Sequence, residues 1–462
     1  MLPGPVFNVE LYTTARRTRY YALRLLYGFI LLGLITSFYS DTAMFHRLGL
    51  GGGEVSISEM ASFGQVFFTT FAITQAVMVL MITPTLISGV IVEEKQRNTL
   101  AYLLASPLTS GEIVLGKLLA RLLHLGVFLG VGLPILSLMT LFGGIDPVVV
   151  ATVYGGTLTC AFFLAGLSIY VSTIARNVRE ALVLVYLLEL AWLVLPPTLD
   201  GVLRSNWPGL YQGIGWLTGA LLFSTPSGAL YMLRAGWGVS ATFWMMGLQV
   251  VMGLALVVLA VRRLRPVFHA QSEKRIRIAT GRSKLRAWRF RLLPRPACGA
   301  DAMLWKELHV SRTSGLVKLI AASLALIFGA ILAFALVIDG VKAVGELMTY
   351  GYAFAGSQQY IERENLHGLT RWSGTVIYVL LLLGVAASAA TCVTSEREAD
   401  TWTSLTSTPL SGSEILRAKM LGAVWSMRWL LAVLFFLWTI GLLLGAVHPL
   451  GFFFGTIELA LF

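Results

Sequence analysis

The segment GEIVLGK, from Gly111 to Lys117, has residue types and a spacing that could bind phosphate. A phosphate-binding loop needs a glycine turn after a buried strand, then a lysine, then a Ser or Thr hydroxyl for a magnesium ion. Here Leu118 follows the lysine. The residues before Gly111 are polar and include Pro107, so they do not form a core strand. The segment therefore does not predict nucleotide binding by this chain.

The composition predicts a membrane protein. Of the 462 residues, 56% are hydrophobic and 13% are charged, and the mean hydropathy is +0.77. A soluble domain carries about 25% charged residues, and several apolar runs here reach the ~20 residues that a membrane-spanning helix needs. We therefore predict an all-α polytopic membrane protein.

Cysteine and histidine residues indicate neither a metal site nor a disulfide framework. The three cysteines, Cys160, Cys298 and Cys392, are far apart and lie in or near apolar segments. The six histidines have no metal-ligand spacing. We expect this chain to bind no metal and no other cofactor.

The placement of positive charge predicts the topology. We predict spans in the first half of the chain at 20–39, 63–92, 118–142, 148–173, 181–199 and 239–261. The segments on one side of these spans carry Arg16, Arg17, Arg19, Lys95, Arg97, Arg176, Arg179, Arg262, Arg263 and Arg265. By the positive-inside rule this side is cytoplasmic, which places the N-terminus inside and makes the first span a retained anchor.

A strongly basic segment, residues 262–296, follows the sixth predicted span. A cytoplasmic linker that lies against anionic lipid accounts for this composition. RNA binding would need a platform of stacking aromatic residues, and the segment offers only Trp288 and Phe290. We expect no nucleic-acid partner.

The second half of the chain repeats the first. Apolar runs recur at 317–338, 374–394 and 421–446, and a fourth begins near Leu450. At an offset of 302 the pairs Glu94/Glu396, Thr99/Thr401, Leu103/Leu405, Pro107/Pro409, Glu112/Glu414 and Lys117/Lys419 align without a gap. Near the starts, Glu10 corresponds to Glu307 at a slightly different offset.

This pattern predicts a parallel tandem duplication. The predicted organisation is a first unit at 1–261, a basic linker at 262–300, and a second unit at 301–462 with three full spans and part of a fourth. The second unit is either truncated or degenerate, and the abrupt apolar ending favours truncation. Gly111 and Gly116 become Ser413 and Ala418 in the second copy, so the glycines of a phosphate loop are not kept.

The repeated segment predicts a short amphipathic helix, a proline break, and then a capped helix that goes back into the membrane. Thr109 and Glu112, like Ser411 and Glu414, have the spacing of a capping box, which starts a helix. Before the break, Leu100, Leu103 and Leu104 fall on one helical face. Such an apolar ridge can lie on lipid or insert into a partner's groove. The acidic residues around Glu396 in the second copy favour a protein partner.

The sequence EEKQRNTLAYLLASPLTSGEIVLGKLLA closely resembles the cytoplasmic loop of ABC-2 type transporter permeases, and SEREADTWTSLTSTPLSGSEILRAKML resembles a looser copy. Asn98 and Asp400 depart from the family's usual glycine. The resemblance implies a permease, driven by ATP and magnesium on a separate ATP-binding subunit that docks at coupling helices. The implied coupling residues are Glu94, Thr99, Leu100, Leu103, Pro107, Glu112, Lys117, Glu396, Thr401, Leu405, Pro409, Glu414 and Lys419.

The resemblance further implies export by alternating access across the plasma (inner) membrane, with no catalytic residue in this chain. A doubled permease could form the transmembrane unit alone, and the alternative is a permease dimer. The rival functions are an ion-coupled secondary transporter and a membrane scaffold without transport activity. Neither the cargo nor its class follows from the sequence.

Glu189 stands in the middle of the fifth predicted span. An ionisable group at that depth is a functional candidate by default, and it could bind a cationic substrate group or relay a proton. The structural alternative is a carboxylate that is hydrogen-bonded to a Ser, Thr or Tyr of a neighbouring helix. Gln75 and Gln249 are expected to make contacts between helices, and Pro84 is expected to kink the second span.

Overall fold

A computed structural model describes residues 4–16, 18–41, 57–97, 99–134, 146–226, 238–279, 301–309, 315–350, 361–398, 402–445 and 447–461. Every regular element within these ranges is an α-helix. Six helical segments among them are long and apolar enough to cross a membrane, and a bent pair of helices provides a further candidate. The predicted fold class, an all-α polytopic membrane protein, is confirmed.

The chain divides into two compact units, Met1–Arg286 and Ala287–Phe462. The helices described in the first unit are α1 (Pro5–Ala15), α2 (Thr18–Asp41), α3 (Ile57–Ile87), α4 (Val90–Gln96), α5 (Thr99–Ala105), α6 (Ser110–Gly130), α7 (Pro147–Ile174), α8 (Val178–Asn206), α9 (Pro208–Ser224) and α10 (Gly238–Ala279).

The spanning segments of the first unit follow the predicted order. Those long enough to cross a membrane are Phe67–Gln96, Ser110–Gly130, Pro147–Ile174, Val178–Arg204 and Thr242–Phe268. The predicted first span, 20–39, lies within α2. The third begins at Ser110 and not at residue 118, because a capping box starts the helix there. Its predicted last residues, 135–142, lie outside the described ranges.

Two glycines allow α7 and α10 to approach closely. A Cβ atom on Gly166 would lie 2.8 Å from the backbone oxygen of Gly253, and a Cβ on Gly253 would lie 3.2 Å from Cα of Phe163. Interfaces between membrane helices depend on small residues because lipid supplies no hydrophobic drive for association. This pair therefore makes α7 and α10 the tightly packed centre of the first unit.

The segment predicted as a linker begins as a continuation of the last spanning helix. Helix α10 runs past Val261 to Ala279, with Pro266 inside it. Leu264 is fully buried, and Val261 and Phe268 pack against the same apolar cluster. The sequence analysis did not predict this packing. The apolar residues that pack here have helical spacing, but they stand among arginines, and the basic composition favoured a linker. Residues 280–300 lie outside the described ranges.

The described helices of the second unit are α11 (Ala302–His309), α12 (Gly315–Tyr350), α13 (Ile361–Glu398), α14 (Trp402–Thr406), α15 (Gly412–Ser426), α16 (Arg428–Leu443) and α17 (Pro449–Leu461). Helices α12, α13 and α17 cover the predicted runs at 317–338, at 374–394 and near Leu450. The predicted run at 421–446 is not one straight helix, because α15 and α16 are bent by 49° at a break. Arg428 stands at this break, and its guanidinium group lies 5.1 Å from the ring centroid of Trp425.

Candidate functional site

At the break between α3 and α4, a side chain of another helix accepts hydrogen bonds from the backbone N–H groups of α4. Pro84 lies inside α3, which ends three residues later at Ile87. The backbone N–H groups of Ile91 and Val92 donate to Ser172 Oγ of α7, at 3.1 and 3.2 Å. A helix start leaves such N–H groups without partners in its own helix. The second span is thus interrupted at Ser88 and Gly89, four residues after Pro84, and α7 holds the start of α4.

Lys95 joins α4 to the end of α7. Its Nζ donates to the backbone oxygens of Ser172 at 3.4 Å and Ala175 at 3.3 Å, and also to that of Thr173. The last carbonyl groups of a helix have no partner within it, and a cation there is also stabilised by the helix dipole. Lys95 therefore caps α7 and holds α4 against it.

The apolar ridge of α5 faces the interior of the first unit. Leu100 is 1% exposed and belongs to a buried cluster with Ile87, Ile113 and Ala165, and Leu103 packs against that cluster. Leu104 packs there too.

The residue that α5 turns outward is Tyr102, whose side chain is 80% exposed. Sequence analysis did not single it out, because helical periodicity identifies an apolar face without saying what covers that face. In this conformation the outer face of the loop is formed by Tyr102 and the exposed Pro107, and Leu100 supports it from inside.

The turn after α5 is held at both ends. Arg265 of α10 donates from Nη2 to the backbone oxygen of Leu108 at 3.0 Å. Beyond the turn, Thr109 Oγ1 accepts from the Glu112 backbone N–H at 3.2 Å, and the Glu112 carboxylate accepts from the Thr109 backbone N–H at 2.8 Å. The predicted capping box is confirmed.

Lys117 lies at the centre of a buried group of charges. Its side chain is about 4% exposed, and its Nζ pairs with Glu94 Oε1 at 3.0 Å and with Glu10. Arg121 Nη2 lies 3.6 Å from the other carboxylate oxygen of Glu10. Thr99 Oγ1 donates to Glu94 Oε2. The group joins α1, the end of α4, the start of α5, and α6.

These contacts explain the residues that resemble a phosphate loop. Gly111, Gly116 and Lys117 all lie within helix α6, and the lysine amine is already held by two carboxylates. A Cβ on Gly116 would lie 3.2 Å from the backbone nitrogen of Phe7 and from Val6 Cβ. Gly116 therefore serves the contact between α1 and α6.

The second unit contains a corresponding arrangement. Ser411 and Glu414 form a capping box at the start of α15, and Lys419 Nζ pairs with Glu307 Oε1 of α11 at 3.3 Å. Leu405 packs against Met303, Ile415 and Ala418. Pro409 is exposed in the turn before α15. Thr401 and the side chain of Glu396 lie outside the described part of the chain.

The Glu10–Lys117 and Glu307–Lys419 pairs carried a signal in the sequence. Each partner recurs in both halves at nearly the same offset, so the two charges could have been matched as a pair. Lys95 and Arg265 carried no such signal, since their partners are backbone oxygens of distant segments.

Polar contacts also join the spans within the membrane. Gln75 Nε2 donates to Thr157 Oγ1 at 2.9 Å. Gln249 Oε1 accepts from Thr159 Oγ1 at 2.8 Å, and its Nε2 donates to the backbone oxygen of Ser224 at 2.9 Å. Both glutamines make the expected contacts between helices.

Glu189 does not make the hydrogen bond that a purely structural role would require. It is 3% exposed on α8, and neither of its carboxylate oxygens has a hydrogen-bond partner among the described residues. The nearby Tyr186 hydroxyl is engaged elsewhere, because it lies 2.6 Å from the backbone oxygen of Met81 and 2.8 Å from Thr85 Oγ1. The expected hydrogen bond to a neighbouring Ser, Thr or Tyr is therefore not present in the described part of the chain.

Comparison with known proteins identifies the family. No curated protein matches the chain. A family model described as "ABC-2 family transporter protein" matches residues 5–264, which is more than half of the 462 residues. The match begins in α1 and ends in α10, and it includes the loop of α4 and α5. Together with the spanning helices described above, it shows that the chain belongs to the ABC-2 family of transporter proteins and is a multi-pass membrane permease.

Proposed function

We propose that this chain is the membrane-spanning subunit of an ABC exporter of the plasma membrane, with its N-terminus in the cytoplasm. ATP hydrolysis takes place on a separate ATP-binding subunit, which docks at the loop of α5 and at the corresponding loop of α14. The family match supports the class of transporter. The carrying observation for the docking site is the exposed Tyr102 on a short helix whose Leu100 is buried in one cluster with residues of α3, α4, α6, α7 and α10.

These attachments describe a route for motion from the ATPase to the spans. The Lys117 group connects the start of α5 with α1 and α6. Lys95 connects α4 with α7, and Arg265 connects the following turn with α10. A displacement of α5 by a closing ATPase dimer would therefore move these helices together. Lys117, at about 4% side-chain exposure, acts inside the chain and not at the partner's surface.

The second unit supports a duplicated permease. Each unit has a capping box after the loop proline and a buried lysine paired with a glutamate of the unit's first short helix, α1 or α11. We propose that the chain holds two permease units, the first from α1 through α10 and the second from α11 through α17, and that transport does not need a second copy of the chain. Transport activity confined to a crosslinked homodimer would contradict this arrangement.

The docking proposal is tested by capturing ATP-binding subunits of the same host with the purified chain in detergent. Tyr102→Ala is expected to weaken capture about tenfold or more, since a buried aromatic anchor at an interface contributes more than about 1.4 kcal/mol. Tyr12→Ala is the matched control, because Tyr12 is a similarly exposed tyrosine, at 72%, outside the loop. Equal capture by both variants and by the unchanged chain would refute docking through Tyr102. Absence of any captured ATPase would favour an ion-coupled transporter.

A further inference from the structure

Glu189 lies near two aromatic side chains, where two spanning helices pack together. On α8, Trp192 follows Glu189 by three residues, so both fall on the same helical face. The rings of Phe163, on α7, and Trp192 are 4.8 Å apart between centroids, so this face of α8 packs against α7. The carboxyl and the ring pair therefore lie at one contact between α7 and α8.

Two polar groups near Glu189 already have hydrogen-bond partners of their own. Trp192 Nε1 donates to Ser224 Oγ at 2.9 Å, and the Tyr186 hydroxyl serves Met81 and Thr85. Both oxygens of Glu189 are left without a hydrogen-bond partner among the described residues. An ionised carboxylate cannot stay buried without a partner, so the site holds a proton when nothing else is bound. A ligand that replaces this proton must itself be a cation.

The chemistry of the surroundings selects the kind of cation. Metal ions such as calcium and magnesium take six or more oxygen ligands, and one carboxyl beside aromatic rings does not supply them. Organic ammonium groups are instead recognised by a carboxylate together with aromatic faces.

We propose that Glu189, with Trp192 and Phe163, forms an intramembrane binding site for the positively charged group of a lipophilic organic cation. The site is closed in the conformation described, where Glu189 is 3% exposed. Separation of α7 from α8 would open it. The cargo class that fits is an amphiphile with a permanent charge or a protonated amine.

The first experiment measures binding of radiolabelled tetraphenylphosphonium to the purified full chain, without ATPase, in lipid nanodiscs. This cation is apolar and carries a permanent charge. Saturable binding is expected for the unchanged chain. Glu189→Gln is expected to weaken binding at least about tenfold, because it removes the charge from a desolvated pair. Trp192→Leu is expected to weaken it about 2- to 30-fold. Tetraphenylborate, an anion of the same shape, should not compete.

Asp200→Asn is the matched control. Asp200 is another buried carboxylate on α8, but its Oδ1 accepts from Tyr211 at 3.1 Å and from Thr218 at 3.2 Å. We expect this variant to bind tetraphenylphosphonium like the unchanged chain. No saturable binding to the unchanged chain, or equal binding by the Glu189→Gln variant, would overturn the proposal.

A second measurement keeps the inference testable if Glu189→Gln folds poorly. Dicyclohexylcarbodiimide modifies protonated carboxyl groups in apolar surroundings, and the modified residue is identified by mass spectrometry of the unchanged chain. We expect modification of Glu189 and protection by tetraphenylphosphonium. Modification that the cation does not slow would contradict a shared site. Because neither assay contains an ATPase, these outcomes are independent of the proposed docking partner.

Discussion

Replacing Lys117 by methionine tests whether the buried charges hold α1 against α6. The change leaves a side chain of similar length but removes the ammonium group between Glu10 and Glu94. Removing one partner of a buried ion pair lowers the free energy of unfolding by about 3–5 kcal/mol, because the other charge is left buried without compensation. Here the two carboxylates keep 18% and 25% exposure, and Arg121 stays 3.6 Å from Glu10. We therefore expect a smaller loss of about 2–3 kcal/mol in the free energy that opens α1 from α6.

Hydrogen exchange of the α1 backbone amides provides the measurement. Exchange through local opening reports that free energy, and 1.36 kcal/mol corresponds to a factor of ten. The Lys117→Met variant should thus exchange about 30- to 150-fold faster in α1 than the unchanged chain. In the second unit, Lys419→Met should likewise accelerate exchange in α11, because Lys419 Nζ pairs with Glu307 of that helix.

The double variant Lys117→Met, Glu94→Gln separates charge from packing. With Glu94 neutralised and Glu10 still beside Arg121, neither position holds a carboxylate without a cation, and most of the protection of α1 should return. If the double variant exchanges as fast as the single variant, the buried charge does not explain the effect. Unchanged exchange in the single variant would show that α1 is held by its apolar contacts alone.

Three further changes and one control variant test packing and capping, each by thermal unfolding of the full chain in detergent. Gly166→Ala places a Cβ against the backbone of Gly253 and should destabilise the first unit by about 1–3 kcal/mol. Gly126→Ala has open space and should be neutral or stabilising, so equal losses in both would refute the close-approach argument. Thr109→Ala should cost about 1 kcal/mol through the lost cap, and an unaltered unfolding temperature would contradict that. Leu100→Ala should cost about 2–5 kcal/mol, because this side chain is 1% exposed. A loss well below that range would show that α5 is not anchored by Leu100.

Local properties of the sequence were sufficient for the fold class and for the helix boundaries around the loop. The length of an apolar run decides whether a helix can cross a membrane, and this does not depend on its neighbours. A capping box joins residues three apart, so the starts of α6 and α15 could be predicted from Thr109, Glu112, Ser411 and Glu414 alone. The family resemblance likewise rests on one contiguous segment.

Tertiary structure decided which groups meet. Periodicity placed Leu100 and Leu103 on one face of α5, but whether that face meets a partner or the chain itself depends on α3, α6 and α7. Lys95 and Arg265 bind backbone oxygens. Because every residue carries a backbone oxygen, the residue types in the sequence do not indicate which ones these two side chains bind. Glu189 was visible as a charge in a span. Its lack of a hydrogen-bond partner among the described residues follows from where distant hydroxyl groups point, and that is set only when the helices pack.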